Sequence, residues 1–249
     1  MKATRLEFRF RMVIMVVVIF IGFWSPWIES VGLQGEFTSR IPLLEWLALE
    51  ISRMGLVSFT IASPVVIVLV ALIAAKAAVL RIWGTAYLGP GTVNSTQMKA
   101  GDVMAAGPYR SVRNPLYLGT WGMIAAIAFL MPPTGALLTM VLLTVFLMRL
   151  ILAEEAFLSG QLGEPYRNYL GAVPRLVPRV RTTLPASGQQ PRWMRALIAE
   201  INPIGVFIVF ATLSWSYNNH LMIQGILVSF GVSLVVRALM PQTRQQSAA

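Results

Sequence analysis

The sequence predicts an all-α fold, a polytopic bundle of about six transmembrane helices. Of its 249 residues, 56% are hydrophobic and only 12% are charged, which is about half the charged fraction of an ordinary soluble domain. Mean hydropathy is +0.69. Several nearly uncharged runs approach or exceed the length that a helix needs to cross the hydrocarbon core of a bilayer. These observations indicate a multi-pass membrane protein in contact with membrane lipids.

Six apolar segments carry this prediction. In chain order they are residues 12–28, 56–80, 115–131, 136–153, 203–217 and 221–240. No small-residue cleavage site follows the first, so we interpret it as an uncleaved span. Pro132-Pro133-Thr134-Gly135 predicts a tight turn, which would make the third and fourth spans an antiparallel hairpin. Residues 41–49 and 191–198 are amphipathic and are expected to lie on the membrane surface.

Charge predicts the orientation of the chain. Residues 29–53 carry four glutamates and two arginines, whereas the chain as a whole has a net charge of +10. Basic residues are retained on the cytoplasmic side, so six spans place both termini in the cytoplasm. The basic residues flank apolar segments and form no single tract, so no nucleic-acid partner is expected. The chain has no cysteine and a single histidine, His220, which argues against a metal centre and a Ser-His-Asp triad.

Three regions are expected along the chain. Residues 1–80 hold two spans and the acidic outer loop, 81–180 form a catalytic core with the transmembrane hairpin, and 181–249 form a C-terminal hairpin. Residues 182–190 are small and polar, and they predict a linker between the last two regions.

Polar residues cluster just before the third span, in residues 107–119. Tyr109, Arg113 and Tyr117 surround the Asn114-Pro115 step. Asn is a good N-cap and Pro suits the first helical position, so a helix is expected to begin here. Its free amides favour a carboxylate or phosphate. The alternative is an ordinary helix start at the membrane interface, with Tyr117 in the aromatic belt.

A second cluster, Glu154-Glu155, follows the fourth apolar run. Carboxylates beside an apolar span are costly and need partners. Neighbours on a helix point about 100° apart, so one glutamate is expected to face a pocket while the other pairs with Arg113, Arg149 or Arg175. The alternative is a helix-end pair in contact with headgroup water.

Two tyrosines and a Pro-Arg segment follow the glutamates. Tyr166 and Tyr169 lie on one helical face and could pack on an adenine or attract a sulfonium. They could equally be interfacial anchors. The segment 173–179 is expected to fold back over the site.

In this order, the motifs of residues 80–180 resemble the isoprenylcysteine carboxyl methyltransferase and phospholipid methyltransferase family. The resemblance implies an integral-membrane enzyme that uses S-adenosylmethionine on a lipophilic small-molecule or lipid acceptor, with its cofactor site facing the cytoplasm at the cell membrane. Implied cofactor-binding residues are Val103, Met104, Tyr109, Asn114, Pro115, Leu116, Tyr117, Glu154 and Tyr166. Implied catalytic residues are Arg113, Arg149, Glu154 and Glu155. Asn114 stands where the family commonly has histidine, and it cannot carry a proton.

Two other functions remain open at this stage. One is an NADPH-dependent membrane reductase of the steroid-reductase type, whose C-terminal region has similar spacing and tyrosines. The other is a scaffold that keeps the shape of the family without its activity. The functional group of the methyl acceptor is also open, because apolar spans that could form its pocket look alike in sequence.

Overall fold

The computed structural model describes residues 2–25, 40–89, 105–179, 184 and 188–239. Within these ranges the regular elements are helices and no strand occurs, so the all-α prediction is confirmed. In chain order the helices are α1 Arg5–Arg9, α2 Arg11–Phe23, α3 Leu43–Arg53, α4 Phe59–Leu88, α5 Pro115–Ala128, α6 Pro133–Leu162, α7 Glu164–Ala172, α8 Trp193–Ala199, α9 Ile201–Thr212 and α10 Asn219–Leu239.

Three of the described helices, α4, α6 and α10, are long and apolar enough to cross a membrane. The pair Trp193–Ala199 and Ile201–Ser216 passes the same test when taken together, and its two parts are bent by 69°. Helices α2 and α5 are apolar but shorter. The chain is therefore a membrane protein with three or four candidate spans. The count of six and the placement of both termini in the cytoplasm stay predictions.

Two of the long helices run further than their apolar segments. Helix α4 continues to Leu88 and α6 continues to Leu162. In α6 good helix formers such as Glu, Ala and Leu extend the hydrogen-bonded ladder beyond the apolar residues, whereas in the added part of α4 Arg81 and Thr85 are bonded to Glu200. Gly163, with φ +64°, ends α6. Helix α6 begins at Pro133, so the turn does not lie at residues 132–135, where it was predicted. The chain turns at Phe129–Pro132, and Pro133 already occupies the first turn of the helix.

Helix α4 is the centre of the packing. Its small and branched residues bury one face against α5, α3 and α9. The approach to α5 is closest at Gly119, where an added Cβ would lie 2.5 Å from Arg81 Cγ and 3.1 Å from the Ala77 carbonyl. Small residues allow helices to approach this closely in a membrane protein. On the other side of the bundle, α2 packs along α6.

The two predicted amphipathic segments are helical. Helix α3 buries Leu44 and Ala48 against α4, and the Leu43 and Leu44 amides donate to the Met131 and Phe129 carbonyls at 2.8 and 3.0 Å. Helix α8 packs against the last turns of α4. Both helices therefore cover opposite ends of α4, and the end near α8 is where α5 begins and α6 ends.

Candidate functional site

The chain between α4 and α5 forms a tight 3₁₀ turn, Gly107–Arg110, that buries Pro108 and Tyr109. Gly107 has φ +51°, and an added Cβ there would collide with the Tyr87 ring. Glycine satisfies both the left-handed backbone and the close contact. The turn directs the Tyr109 ring inward between α4 and α5.

Helix α5 begins with Pro115 at its first position, as the sequence predicts. Asn114 occupies the N-cap position, but its side chain makes no capping bond, so that part of the expectation is wrong. The Asn114 Nδ2 instead donates to Glu155 Oε1 and to the Arg175 carbonyl, both at 3.3 Å. A buried carboxylate is a strong acceptor for an amide N–H, so the amide turns away from its own helix.

Glu155 is the centre of a buried ionic cluster. Its Oε1 accepts from Arg113 Nη1 at 3.0 Å, and its Oε2 accepts from Arg175 Nη2 at 2.7 Å. The Glu155 side chain is 7% exposed. The hydrogen bonds with Glu155 raise the pKa of the Arg175 guanidinium. A carboxylate held between two guanidinium groups is neutralised and positioned, and it joins α5, α6 and the chain after α7.

Glu154 points in another direction on α6 and accepts the Tyr117 hydroxyl, with 2.9 Å between Tyr117 Oη and Glu154 Oε2. Tyr117 lies in the first turn of α5. The predicted pairing of one glutamate with arginines is therefore confirmed, while a pocket facing the other glutamate stays a prediction. Glu155 pairs with arginines, while Glu154 contacts a tyrosine at the start of α5.

Residues 173–179 fold back across the start of α5, as expected. The Arg113 amide donates to the Pro174 carbonyl at 2.9 Å, and Arg113 Nε donates to the Val173 carbonyl at 2.7 Å. The Arg179 amide donates to the Ser111 carbonyl at 3.0 Å. This segment therefore covers the Glu155 cluster with main-chain contacts.

The α7 tyrosines pack on each other beneath this segment. The ring centroids of Tyr166 and Tyr169 are 5.8 Å apart, and both side chains are buried. Tyr169 Oη donates to the Tyr109 carbonyl at 2.8 Å. Burial raises the pKa of both hydroxyls above the ordinary value. Tyr169 thus joins α7 to the 3₁₀ turn.

Arg149 lies apart from this cluster. It points to the N-terminal helix, where its Nη2 contacts Glu7 Oε1 and Oε2 at 2.8 and 2.9 Å. The Ala3 amide also donates to the Arg149 carbonyl at 3.0 Å. The Thr4 amide and the Arg149 guanidinium hold the pKa of the Glu7 carboxyl below its ordinary value. The structure brings Arg113 and both glutamates together, but it does not bring Arg149 to them.

The remaining predicted cofactor residues divide between the described and the undescribed chain. Val103 and Met104 lie outside the described residues. Pro115 is buried in the first turn of α5. Leu116 packs against Gly84 of α4, and its carbonyl accepts from Arg81 Nη1 at 3.5 Å.

A second buried ion pair was not predicted from the sequence. Arg81 of α4 contacts Glu200 twice, with Nε–Oε2 at 2.6 Å and Nη2–Oε1 at 3.0 Å. Thr85 Oγ1 donates to Glu200 Oε1, and Arg81 Nη1 donates to Thr120 Oγ1, both at 2.6 Å. Glu200 is fully buried at the junction of α8 and α9. The sequence signal for this pair is that Glu200 is a single acidic residue within the mostly apolar residues 196–208. Such a carboxylate needs a partner.

A cavity of about 370 Å³ lies at the end of α4. Its lining residues are Tyr87, Leu88, Gly89, Gln189, Gln190, Pro191 and Arg192. None of them is a predicted site residue. The cavity adjoins the 3₁₀ turn through Tyr87, whose ring packs on Gly107.

The fold and these contacts together define a class: a helical membrane protein with a buried polar cluster where one helix begins and another ends. Residues 57–164 match the model of the phospholipid methyltransferase family. The match confirms the family resemblance and supports a membrane methyltransferase that acts on lipid-like substrates. No curated protein and no solved structure matches the chain.

The matched segment differs in extent from the motifs that carry the resemblance. It begins earlier and so includes all of α4, and it ends before Tyr166. It contains Tyr109, Asn114, Glu154 and Glu155. Glu200 and residues 173–179, which fold back across the start of α5, lie outside the matched segment.

Proposed function

We propose that this protein is an S-adenosylmethionine-dependent methyltransferase of the membrane, acting on a lipophilic acceptor. The observation that carries the proposal is the Glu154–Tyr117 contact at 2.9 Å beside the N-terminus of α5, inside the segment that matches phospholipid methyltransferases. A partly buried carboxylate, an aromatic ring and a helix N-terminus meet there.

These groups suit the charges of the cofactor. When bound, S-adenosylmethionine supplies a methyl group on a cationic sulfur, and it also carries an ammonium group and a carboxylate. The amides of the first turn of α5 bind the carboxylate, because a helix N-terminus carries a partial positive charge. Glu154 binds the ammonium group or the ribose hydroxyls, and the Tyr117 ring lies against the cation. Leu116, Tyr166 and the aromatic ring of Tyr109, but not the Tyr109 hydroxyl, complete the lining.

Glu155 and its arginines hold this arrangement in place. Arg113 and Arg175 anchor Glu155 and the chain after α7, and Asn114 is held by the same carboxylate. Arg113 also orients an acidic acceptor in this proposal, whereas Arg149, which pairs with Glu7, takes no part in it. Asn114 cannot remove a proton, so the site works by aligning acceptor, methyl and sulfur in a dry environment. We place this end of the bundle at the cytoplasmic side of the cell membrane.

Calorimetric titration of the detergent-solubilised full chain with S-adenosylhomocysteine tests the proposal, with NADPH as a parallel ligand. We expect micromolar binding of S-adenosylhomocysteine that disappears in Glu154→Ala and in Tyr117→Ala. Binding of NADPH alone would assign the protein to the reductases. Binding of neither ligand would favour a scaffold and overturn the proposal.

A further inference from the structure

The Tyr109 hydroxyl is a buried polar group without a partner among the residues that the structure describes. The Tyr109 side chain is 7% exposed, and its hydroxyl oxygen makes no hydrogen bond with any residue that the structure describes. Its neighbours differ: the Tyr117 hydroxyl donates to Glu154, and the Tyr169 hydroxyl donates to the Tyr109 carbonyl. Buried hydroxyls nearly always have a partner, because desolvating one without a hydrogen bond is costly.

The hydroxyl lies between α4 and α5, at the far end of the ring from the Tyr109 main chain. A Cβ added at Gly84 of α4 would lie 3.5 Å from Tyr109 Oη and 2.8 Å from Leu116 Cδ2. The oxygen thus faces a point on α4 that carries no side chain. One turn earlier on α4, Arg81 is already bonded to Glu200 and Thr120.

The surroundings keep the hydroxyl in its donor form. Burial, and next the negative charge of Glu154, raise the pKa of Tyr109 well above its ordinary value. In such a low-dielectric environment, a protonated phenol is stabilised most by donating a hydrogen bond to a neighbouring lone pair. The amides of α5 and Glu154 serve the charged groups of the cofactor, whereas Tyr109 Oη points between two apolar helices.

We propose that the Tyr109 hydroxyl binds the polar end of the methyl acceptor, donating a hydrogen bond to an oxygen or neutral nitrogen there. This proposal rests on the proposed function. It makes Tyr109 a specificity residue for the acceptor.

The experiment compares Tyr109→Phe with Tyr169→Phe in the full chain. Three quantities are measured: thermal unfolding in detergent, affinity for S-adenosylhomocysteine, and transfer of tritiated methyl from S-adenosylmethionine to vesicles made from the lipid extract of the host membranes. For Tyr109→Phe we expect methyl transfer to fall about tenfold, with unchanged cofactor affinity and no loss of thermal stability. Tyr169→Phe removes the hydrogen bond from the Tyr169 hydroxyl to the Tyr109 carbonyl, so this variant should unfold at a lower temperature than the wild type.

Three results would overturn the proposal. Methyl transfer by Tyr109→Phe at the wild-type rate would remove the hydroxyl from the site. An equal fall in S-adenosylhomocysteine affinity would assign the hydroxyl to the cofactor. A loss of stability matching that of Tyr169→Phe would give the hydroxyl a structural partner. The proposed function fails separately, if the wild-type chain itself neither binds S-adenosylhomocysteine nor transfers methyl.

Discussion

At the residue scale, two adjacent glutamates have different surroundings because α6 continues through both. Glu155 lies between Arg113 and Arg175, whereas Glu154 meets the Tyr117 hydroxyl. Residues that are neighbours in sequence point about 100° apart on a helix. One carboxylate therefore joins three parts of the chain, and we propose that the other binds the cofactor.

Substitution of the two glutamates should separate stability from binding. Glu155→Gln removes the charge between two guanidinium groups, and breaking such a buried pair costs about 3 kcal/mol of unfolding free energy. Glu154→Gln keeps an oxygen for Tyr117, so its cost should stay below about 1 kcal/mol, while S-adenosylhomocysteine affinity falls at least about tenfold. Thermal unfolding and calorimetry of the purified variants check both expectations.

Glu50→Gln is the matched control, because Glu50 pairs with Arg53 at a more exposed position on α3. Exposed pairs contribute little, so this variant should resemble the wild type in both measurements. Wild-type stability in Glu155→Gln, or undiminished binding in Glu154→Gln, would contradict the division of roles.

At the element scale, the C-terminal helices are joined to the matched segment by a buried ion pair. Glu200 lies where α8 meets α9 and reaches Arg81 on α4, which in turn contacts Thr120 on α5. The pair ties three elements at the end of the bundle that holds the site. A charge buried at 1% side-chain exposure is tolerated only when it is paired and hydrogen-bonded.

Removal of the Glu200 carboxylate should therefore loosen this junction. Glu200→Ala leaves the Arg81 guanidinium buried without its partner, and we expect about 3–5 kcal/mol of destabilisation in thermal or denaturant unfolding. Thr120→Val removes a single hydrogen bond and should cost about 1 kcal/mol. Equal, small effects for both variants would show that the ion pair contributes no more than an ordinary hydrogen bond.

At the scale of the whole molecule, the described helices include three or four candidate spans, and charge adds a prediction of orientation. The chain has no cysteine, so single-cysteine variants give a clean topology assay. Met54 and Tyr217 are 71% and 60% exposed and flank predicted spans on the outer side. Lys2 is exposed near the N-terminus and is predicted to be cytoplasmic.

The labelling experiment uses a membrane-impermeant maleimide on intact cells. Met54→Cys and Tyr217→Cys should react, whereas Lys2→Cys should react only after the membrane is permeabilised, because basic residues hold the N-terminus inside. Labelling of Lys2→Cys on intact cells, or protection of one outer position, would contradict six spans with both termini inside.

Much of the fold was predictable because its signals are local. Hydropathy located the apolar cores of the long helices, and Pro115 marked the start of α5. The ends of α4 and α6 were not predictable from hydropathy, since α6 continues through polar helix formers such as Glu154 and Glu155 and the last turns of α4 are bonded to Glu200, which is distant in sequence. The Asn114 side chain donates to the Glu155 carboxylate, which is distant in sequence, and does not cap its own helix.

Local signals along the chain were enough to predict a helical membrane protein, a polar cluster before α5, and different directions for Glu154 and Glu155. Periodicity and composition act over a few residues, so they are readable along the chain. Three contacts became known only from the packing of the helices: Glu155 pairs with Arg113 and Arg175, Arg149 pairs with Glu7, and Glu200 pairs with Arg81. Those choices join residues far apart in sequence, and a buried charge takes the partner that packing brings within reach.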